Sequence, residues 1–329
     1  MEVRARVPLK VIISGEHAAV YGYPAVSAAI GLGVRVRAVE SDGEGFLIET
    51  ELDGPGPGRV RARVGASGEL SRVSSPGLRR ELRYVASAIR VGAREFSPPP
   101  AEVRIECEAP PASGLGTSAA VSAGVLAALA ALSGEELDRE RLRRLVRRVE
   151  LDVQGKASWV DSTTVTYGGV LSVSGREFRR LECPRDPVLV VAYSGRPSRT
   201  GEMVERVRRL VGEVGDVGER VMEVIGEVVS GVERALEEGD LERLGRLLDV
   251  NHGLLAALGV STRELEEVVH ALRGAGALGA KVTGAGGGGC AVGVFEDASR
   301  AEAAAELLEL MGYRAHVTRP SPRGVRISG

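Results

Sequence analysis

The chain holds little that could staple it or bind a metal by side chains alone. Its 329 residues include three cysteines, Cys107, Cys183 and Cys290, far apart and in apolar sequence contexts. An odd, scattered set argues against a disulfide framework and against a tetrahedral thiolate site. Four histidines are too few for a multi-histidine centre. No apolar run approaches the roughly 20 residues that span a bilayer. The opening Met1-Glu2-Val3-Arg4 lacks the apolar core of a signal peptide. The expectation is a cytoplasmic protein that does not engage membrane. A formal net charge of -2 gives no support for nucleic-acid binding. Lysine is scarce as well: it occurs only at positions 10, 156 and 281, and arginine carries nearly all the positive charge. Genomic composition or a hot habitat accounts for such a bias, and it draws attention to each lysine as a candidate for a role that needs a compact ammonium.

What remains is a soluble-enzyme composition long enough for two domains. Strands are expected at 2–7, 10–14, 33–39, 46–51, 58–64, 102–107 and 168–173. Helices are expected over Arg79–Val91, 118–132 and 138–152. Beyond a boundary near 180, a strand at 187–194 precedes helical periodicity through 202–213, 218–236, 240–257 and 261–273. A strand at 291–295, a helix at 299–311 and strands near 313–318 and 324–328 follow. The second half reads as an α+β layer with clustered helices.

Three segments carry chemistry. In the first, Lys10 sits inside an apolar strand that ends in Gly15-Glu16-His17, followed by Tyr21-Gly22-Tyr23-Pro24. A strand lysine can snorkel to solvent, or its ammonium can stabilise an alkoxide and a transferring phosphoryl group. Glu16 and His17 can cap a turn or wall a pocket.

The second segment is Pro110-Pro111-Ala112-Ser113-Gly114-Leu115-Gly116-Thr117-Ser118-Ala119, between a strand and an alanine-rich helix. Small residues and free helix-start N–H groups suit a triphosphate. The spacing is not GxxxxGK[ST], so the common P-loop is not implied. Thr117 and Ser118 can be a simple N-cap, or Ser118 can ligate Mg2+. Glu150 is the carboxylate expected to share that ion, with a surface pair to Arg147 as the alternative. Asp161 lies in a polar run, Gly155 to Gly169, read as a loop before a strand. It is either solvated or the group that takes a proton from a substrate hydroxyl.

The third segment, Gly279 to Val292, contains Gly286-Gly287-Gly288-Gly289, framed by strand signals. So many glycines are expected only where side chains must be absent, here walling the phosphate and substrate site. Cys290 reads as a buried small residue.

Together these segments resemble the motifs of the GHMP small-molecule kinases, in order and over essentially the whole length. The nearest branch is the mevalonate kinases of archaeal or bacterial type. Asn251-His252-Gly253-Leu254-Leu255 with Leu258-Gly259-Val260-Ser261 is similar to that branch's helix-and-turn signature. The resemblance implies an α+β GHMP kinase fold. An N-terminal domain, 1–180, of ribosomal-protein-S5 domain 2-like topology would bind ATP and Mg2+, and a ferredoxin-like C-terminal domain would span 181–329. The implied reaction is ATP-dependent phosphorylation of (R)-mevalonate to (R)-5-phosphomevalonate in isoprenoid synthesis.

The implied catalytic residues are Asp161 and Lys10. Pro111, Ser113, Gly114, Leu115, Gly116, Thr117, Ser118 and Ala119 would bind ATP. Glu16, His17, Tyr167, Thr200, Gly284 and Ala285 would bind substrate, and Ser118 and Glu150 would bind Mg2+. Mevalonate and ATP are the implied partners, and a homodimer is expected from the resemblance alone.

Two departures stand out. Trp159 occupies a position usually glycine, where it either reshapes the pocket or packs outward, and Thr117 replaces a more usual serine. The alternatives are a related kinase for phosphomevalonate or another small alcohol, with Arg196 and Arg199 as candidate phosphate contacts, or a non-catalytic sensor.

Overall fold

The computed structural model describes residues 1–51, 59–74 and 82–329. Position 58 of one expected strand and 79–81 of the first expected helix lie outside the described residues. Two sheets organise the chain. The first half supplies β1 (Glu2–Ser14), a short 3-10 turn (Ala18–Tyr21), β2 (Ala25–Glu40), β3 (Phe46–Glu51), β4 (Arg59–Val64) and β5 (Leu70–Ser71). Then come α1 (Arg83–Phe96), β6 (Ala101–Cys107), α2 (Thr117–Leu132), α3 (Arg139–Gln154), α4 (Val160–Tyr167), β7 (Val170–Ser174) and β8 (Glu177–Arg180). The second half supplies β9 (Val188–Tyr193), α5 (Thr200–Val214), α6 (Asp216–Glu238), α7 (Leu241–Ala257), α8 (Arg263–Gly274), β10 (Gly279–Thr283), β11 (Cys290–Phe295), α9 (Ala298–Leu310), β12 (Arg314–Thr318) and β13 (Arg326–Ser328).

The first sheet runs β13-β1-β2-β6-β3-β4-β5, with β7 and β8 added alongside β2. All its pairs are antiparallel except β3 with β6. The second sheet runs β10-β11-β9-β12, antiparallel throughout. That is the fourth-first-third-second order of a ferredoxin-like unit read backwards. The fold is α+β, as the motifs implied.

Helix α2 explains how the layers close up. It is buried almost all round, as an apolar helix without a polar face must be. Its alanines and Gly124 let it lie close to the first sheet: a Cβ on Gly124 would fall 2.6 Å from a Val36 methyl. One apolar cluster fills the space between that sheet and α1–α3, and a second lies between the other sheet and α5, α8 and α9. Among the described residues no helix is long and apolar enough to cross a membrane.

The structure departs from the sequence expectation in three instructive places. The strands expected at 2–7 and 10–14 are one strand, kinked by register shifts at Pro8–Lys10 and Ile12–Ser14. Strand β2 starts at Ala25 rather than 33. Gly33 is no breaker there, because its bare Cα admits the Val7 carbonyl, 2.7 Å from where a Cβ would sit. The polar run around Asp161 is not a loop but contains α4, whose hydroxyls bond back into the helix (Thr164 Oγ1 to Val160 O, 2.7 Å).

The tail links the halves. After β12 the chain returns to pair β13 with β1, and Gly169 N donates to Ser321 O at 2.6 Å. Gly168, at the C-terminal end of α4, has φ 71° and ψ -179°, a region almost reserved for glycine. A Cβ there would lie 2.3 Å from the Arg323 carbonyl carbon. Gly168→Ala should therefore cost at least about 2 kcal/mol, read from the urea midpoint; an unchanged midpoint would show that the tail yields freely.

Candidate active site

The kink in β1 turns Lys10 inward, toward the start of α2. Its backbone N–H donates to Leu115 O at 2.9 Å, and its ammonium donates to Gly114 O at 3.1 Å. The same ammonium stands 3.1 Å from Asp161 Oδ1; the Lys10 side chain is 3% exposed and that of Asp161 26%. The snorkelling alternative does not hold: the stem threads past Gly116, where a Cβ would lie 2.9 Å from both its Cγ and its Cε. Gly116 also has φ 69°, so it serves the turn and the lysine together.

The two glycine-rich loops stack backbone on backbone. A Cβ on Gly284 would meet Gly114 O at 3.1 Å, and one on Gly289 would meet Ser113 O at 2.8 Å. The buried Ser198 pegs them together, its N–H donating to Ala112 O and its hydroxyl to Gly286 O, both at 2.7 Å. Helix α2 starts with Gly116 at its N-cap and has no side-chain cap. The simple-cap reading of Thr117 and Ser118 therefore fails, and the first-turn N–H groups are left for an anion. Pro111, Ser113, Leu115 and Ala119 form the walls of that turn, and the Thr117 hydroxyl lies 3.4 Å from that of Ser113.

Glu150, near the C-terminal end of α3, is buried, and its Oε2 has no partner. Burial pushes its carboxyl well above the usual range and the Asp161 charge pushes it further, while Lys10 and Arg147 pull it down. Tyr84 on α1 closes the group. Burial, then the Glu150 charge, raises its phenol to about 12, and its hydroxyl accepts from the Gln154 amide. Among the described residues no set of three His, Cys, Asp or Glu could hold a metal alone. A buried, unpartnered carboxylate oxygen fits a hard divalent cation that completes its shell elsewhere.

Past Ser14, whose hydroxyl bonds Asn251 Oδ1 at 2.5 Å, the chain turns sharply. His17 has φ 62°, and its buried Nε2 lies 3.0 Å from Ala285 O, next to Gly284. A carbonyl only accepts, so Nε2 carries the proton and Nδ1 is the free acceptor. Burial lowers the imidazole pKa and keeps the ring neutral. Glu16 is buried and ion-paired with Lys281. Lys10, Asp161, Glu150, Ser118 and both loops thus converge.

Tyr167 turns its side chain toward α3, and Thr200 follows two residues after the Ser198 that joins the two loops. The Tyr167 hydroxyl reaches Glu140 at 3.3 Å and its ring packs on Phe178. Glu140 is ten residues before Glu150 on α3, about 15 Å along the axis. Thr200 is exposed at the start of α5. Trp159 is half-buried against a small apolar cluster that includes Val160 and Leu171, its ring lying 4.7 Å from the Arg143 guanidinium and 4.4 Å from that of Arg147. Sequence reading missed Tyr84, which no motif flags, and the role of Lys281, which only the rarity of lysine marked.

Comparison with known proteins bears on the same residues. The family model for the GHMP kinases N terminal domain matches residues 83–169, and that for GHMP kinases C terminal matches 232–313. A mevalonate kinase of Pyrococcus horikoshii is 38% identical over 332 residues, covering 99% of this chain and 97% of its own. Among solved structures, the Methanococcus jannaschii mevalonate kinase superposes with a TM-score of 0.81 at 27% identity, covering 97% of this chain and 98% of that one. The L. major mevalonate kinase in complex with R-mevalonate gives 0.82 at 25% identity, covering 97% and 96%.

The burial of Glu150 has a measurable sign. A carboxyl whose folded-state pKa is raised destabilises the fold when ionised, above that value, and the cost disappears as pH falls toward the ordinary range. Glu150→Gln should melt higher than wild type in the ligand-free state at about pH 8 and lose that advantage by about pH 4.5. Thermal melts across that range check it; a variant that melts lower at pH 8 would count against the buried charge.

Proposed function

The chain belongs to the GHMP kinase family, and from that membership we propose that it phosphorylates the 5-hydroxyl of (R)-mevalonate with ATP, releasing ADP and (R)-5-phosphomevalonate. The observation that carries the reading is the 3.1 Å contact between Lys10 and Asp161 at the floor of the stacked glycine loops. The relatives that span the full length, named mevalonate kinases, support the choice of acceptor.

In this reading the triphosphate lies along 113–118, its oxygens taking the uncapped N–H groups of α2. Mg2+ would neutralise phosphate charge, and the Ser118 hydroxyl and Glu150 Oε2 are the groups that would hold it. The acceptor lies between His17 and Asp161. Asp161 accepts the hydroxyl proton as the oxygen attacks the terminal phosphorus. The Lys10 ammonium, fixed by Gly114 O, stabilises the alkoxide and the equatorial phosphoryl oxygens. Alignment and charge do the work, with no covalent enzyme intermediate. His17 Nδ1 accepts a hydrogen bond from the acceptor.

Arg196 is paired with Glu264 at 2.7 Å and Arg199 with Glu202 at 3.1 Å. Neither is left waiting for a second phosphate, which supports mevalonate over phosphomevalonate. The division into 1–180 and 181–329 belongs to the same proposal, with β13 crossing it. Homodimerisation and a cytoplasmic location rest on the resemblance and composition alone.

Asp161→Asn should lower kcat by about 10²- to 10⁴-fold, and Lys10→Met by at least about 10²-fold, with ATP still bound. In a panel of mevalonate, phosphomevalonate, homoserine and galactose, mevalonate should give the highest kcat/KM. A preference for homoserine, or an unchanged kcat in Asp161→Asn, would overturn the reading.

A further inference from the structure

Of the three lysines, Lys156 is exposed and Lys10 is accounted for. Lys281 is among the largest side chains fully enclosed by the described residues. It lies on β10 of the second sheet, and its ammonium is ion-paired with Glu16, in the turn after β1 of the first sheet. It also donates to Val282 O at 2.6 Å and reaches Ile12 O at 3.5 Å. Three donors and three acceptors leave the ammonium saturated. The next position but one, Thr283, exchanges hydrogen bonds with Ile12, its hydroxyl accepting from the backbone N–H at 2.8 Å and donating to the carbonyl at 3.1 Å. Strand β10 is therefore pinned to β1 just two residues beyond Lys10.

The turn so pinned is a strained one. Gly15 has φ 101°, and a Cβ there would lie 2.6 Å from Pro24 O. His17 stands at φ 62°, where a side chain is disfavoured. Strained turns persist only when their surroundings over-determine them. Here Glu16 is held from one side by Lys281, and the His17 ring from the other by Ala285 O. Both anchors belong to the same segment of the second half, Lys281 to Ala285. The Lys281 ammonium donates in three different directions, to Glu16, Val282 O and Ile12 O, which suits a compact tetrahedral ammonium better than a planar guanidinium.

We propose that Lys281 is a positioning residue for the acceptor: by holding Glu16 it keeps the Gly15–His17 turn in the shape that presents His17 to the alcohol. This deepens the reading given above and rests on it. Lys281 touches none of the phosphate loop's first-turn N–H groups, so its effect falls on the acceptor and not on ATP.

Lys281→Met removes the ammonium and leaves Glu16 buried without a partner, and its mevalonate KM should rise at least about tenfold while the ATP KM stays within about twofold. The double variant Lys281→Met with Glu16→Gln removes the stranded charge as well. It should recover thermal stability relative to Lys281→Met yet keep the raised mevalonate KM. A purely structural ion pair predicts the reverse: stability and KM recover together. If either folded variant keeps a mevalonate KM within about twofold of wild type, or if both substrates' KM values rise in parallel, the positioning role is wrong. The wild type serves as the separate check on the parent reading. Should it prefer another alcohol, the mevalonate assignment falls and the same KM split is measured with that alcohol; should it phosphorylate none, both fall.

Discussion

A single ammonium, that of Lys10, sets the terms for everything around it. Its reach to Gly114 O and Asp161 requires a bare Cα at Gly116, a kink at Pro8–Lys10 and a helix that begins where the stem passes. Such a group is costly to bury unless its donors are used. The protein uses them on the phosphate-loop backbone and on the carboxylate that faces the acceptor. The loop's shape and the acid–base pair are thus one construction. A shift of the lysine would disturb where the phosphates sit and where the proton goes at the same time.

Around that pair the buried charges alternate. Lys281 neutralises Glu16 and Lys10 neutralises Asp161, while Glu150, with an unpartnered Oε2, has no ion-pair partner among the described residues. Burial and the neighbouring Asp161 both oppose its ionisation. A site that leaves one anion uncompensated is poorly stabilised by itself and well matched to a positive ligand. Stability withheld at Glu150 in the empty protein is available as binding energy when a cation arrives.

Much of this was legible from residue order. Glycine clusters announce themselves because nothing else fits where backbones touch, and both loops did so. Lys10 was marked by its apolar neighbours, and the helices of the second half by their periodicity. A run dense in polar and small residues before a strand reads as a loop around Asp161; burial and back-bonding hydroxyls make it α4 instead. Tyr167 was drawn to the site by its motif, yet its hydroxyl is satisfied by Glu140, a partner no local pattern reveals. The partners of Trp159 were not legible either: two arginines of α3, four residues apart, stack on its ring. The Lys281–Glu16 pair joins positions 265 apart, and only the folded chain brings them together.

The return of β13 to β1 has an implication for biosynthesis. During translation the nascent first half emerges with the outer edge of β1 unpaired, an invitation to foreign strands. The residues that cap this edge, 326–328, are made after all the other strands. The ribosome must deliver them before that vulnerability is sealed, so the reacting lysine's own strand stays open at Arg4–Arg6 until they emerge.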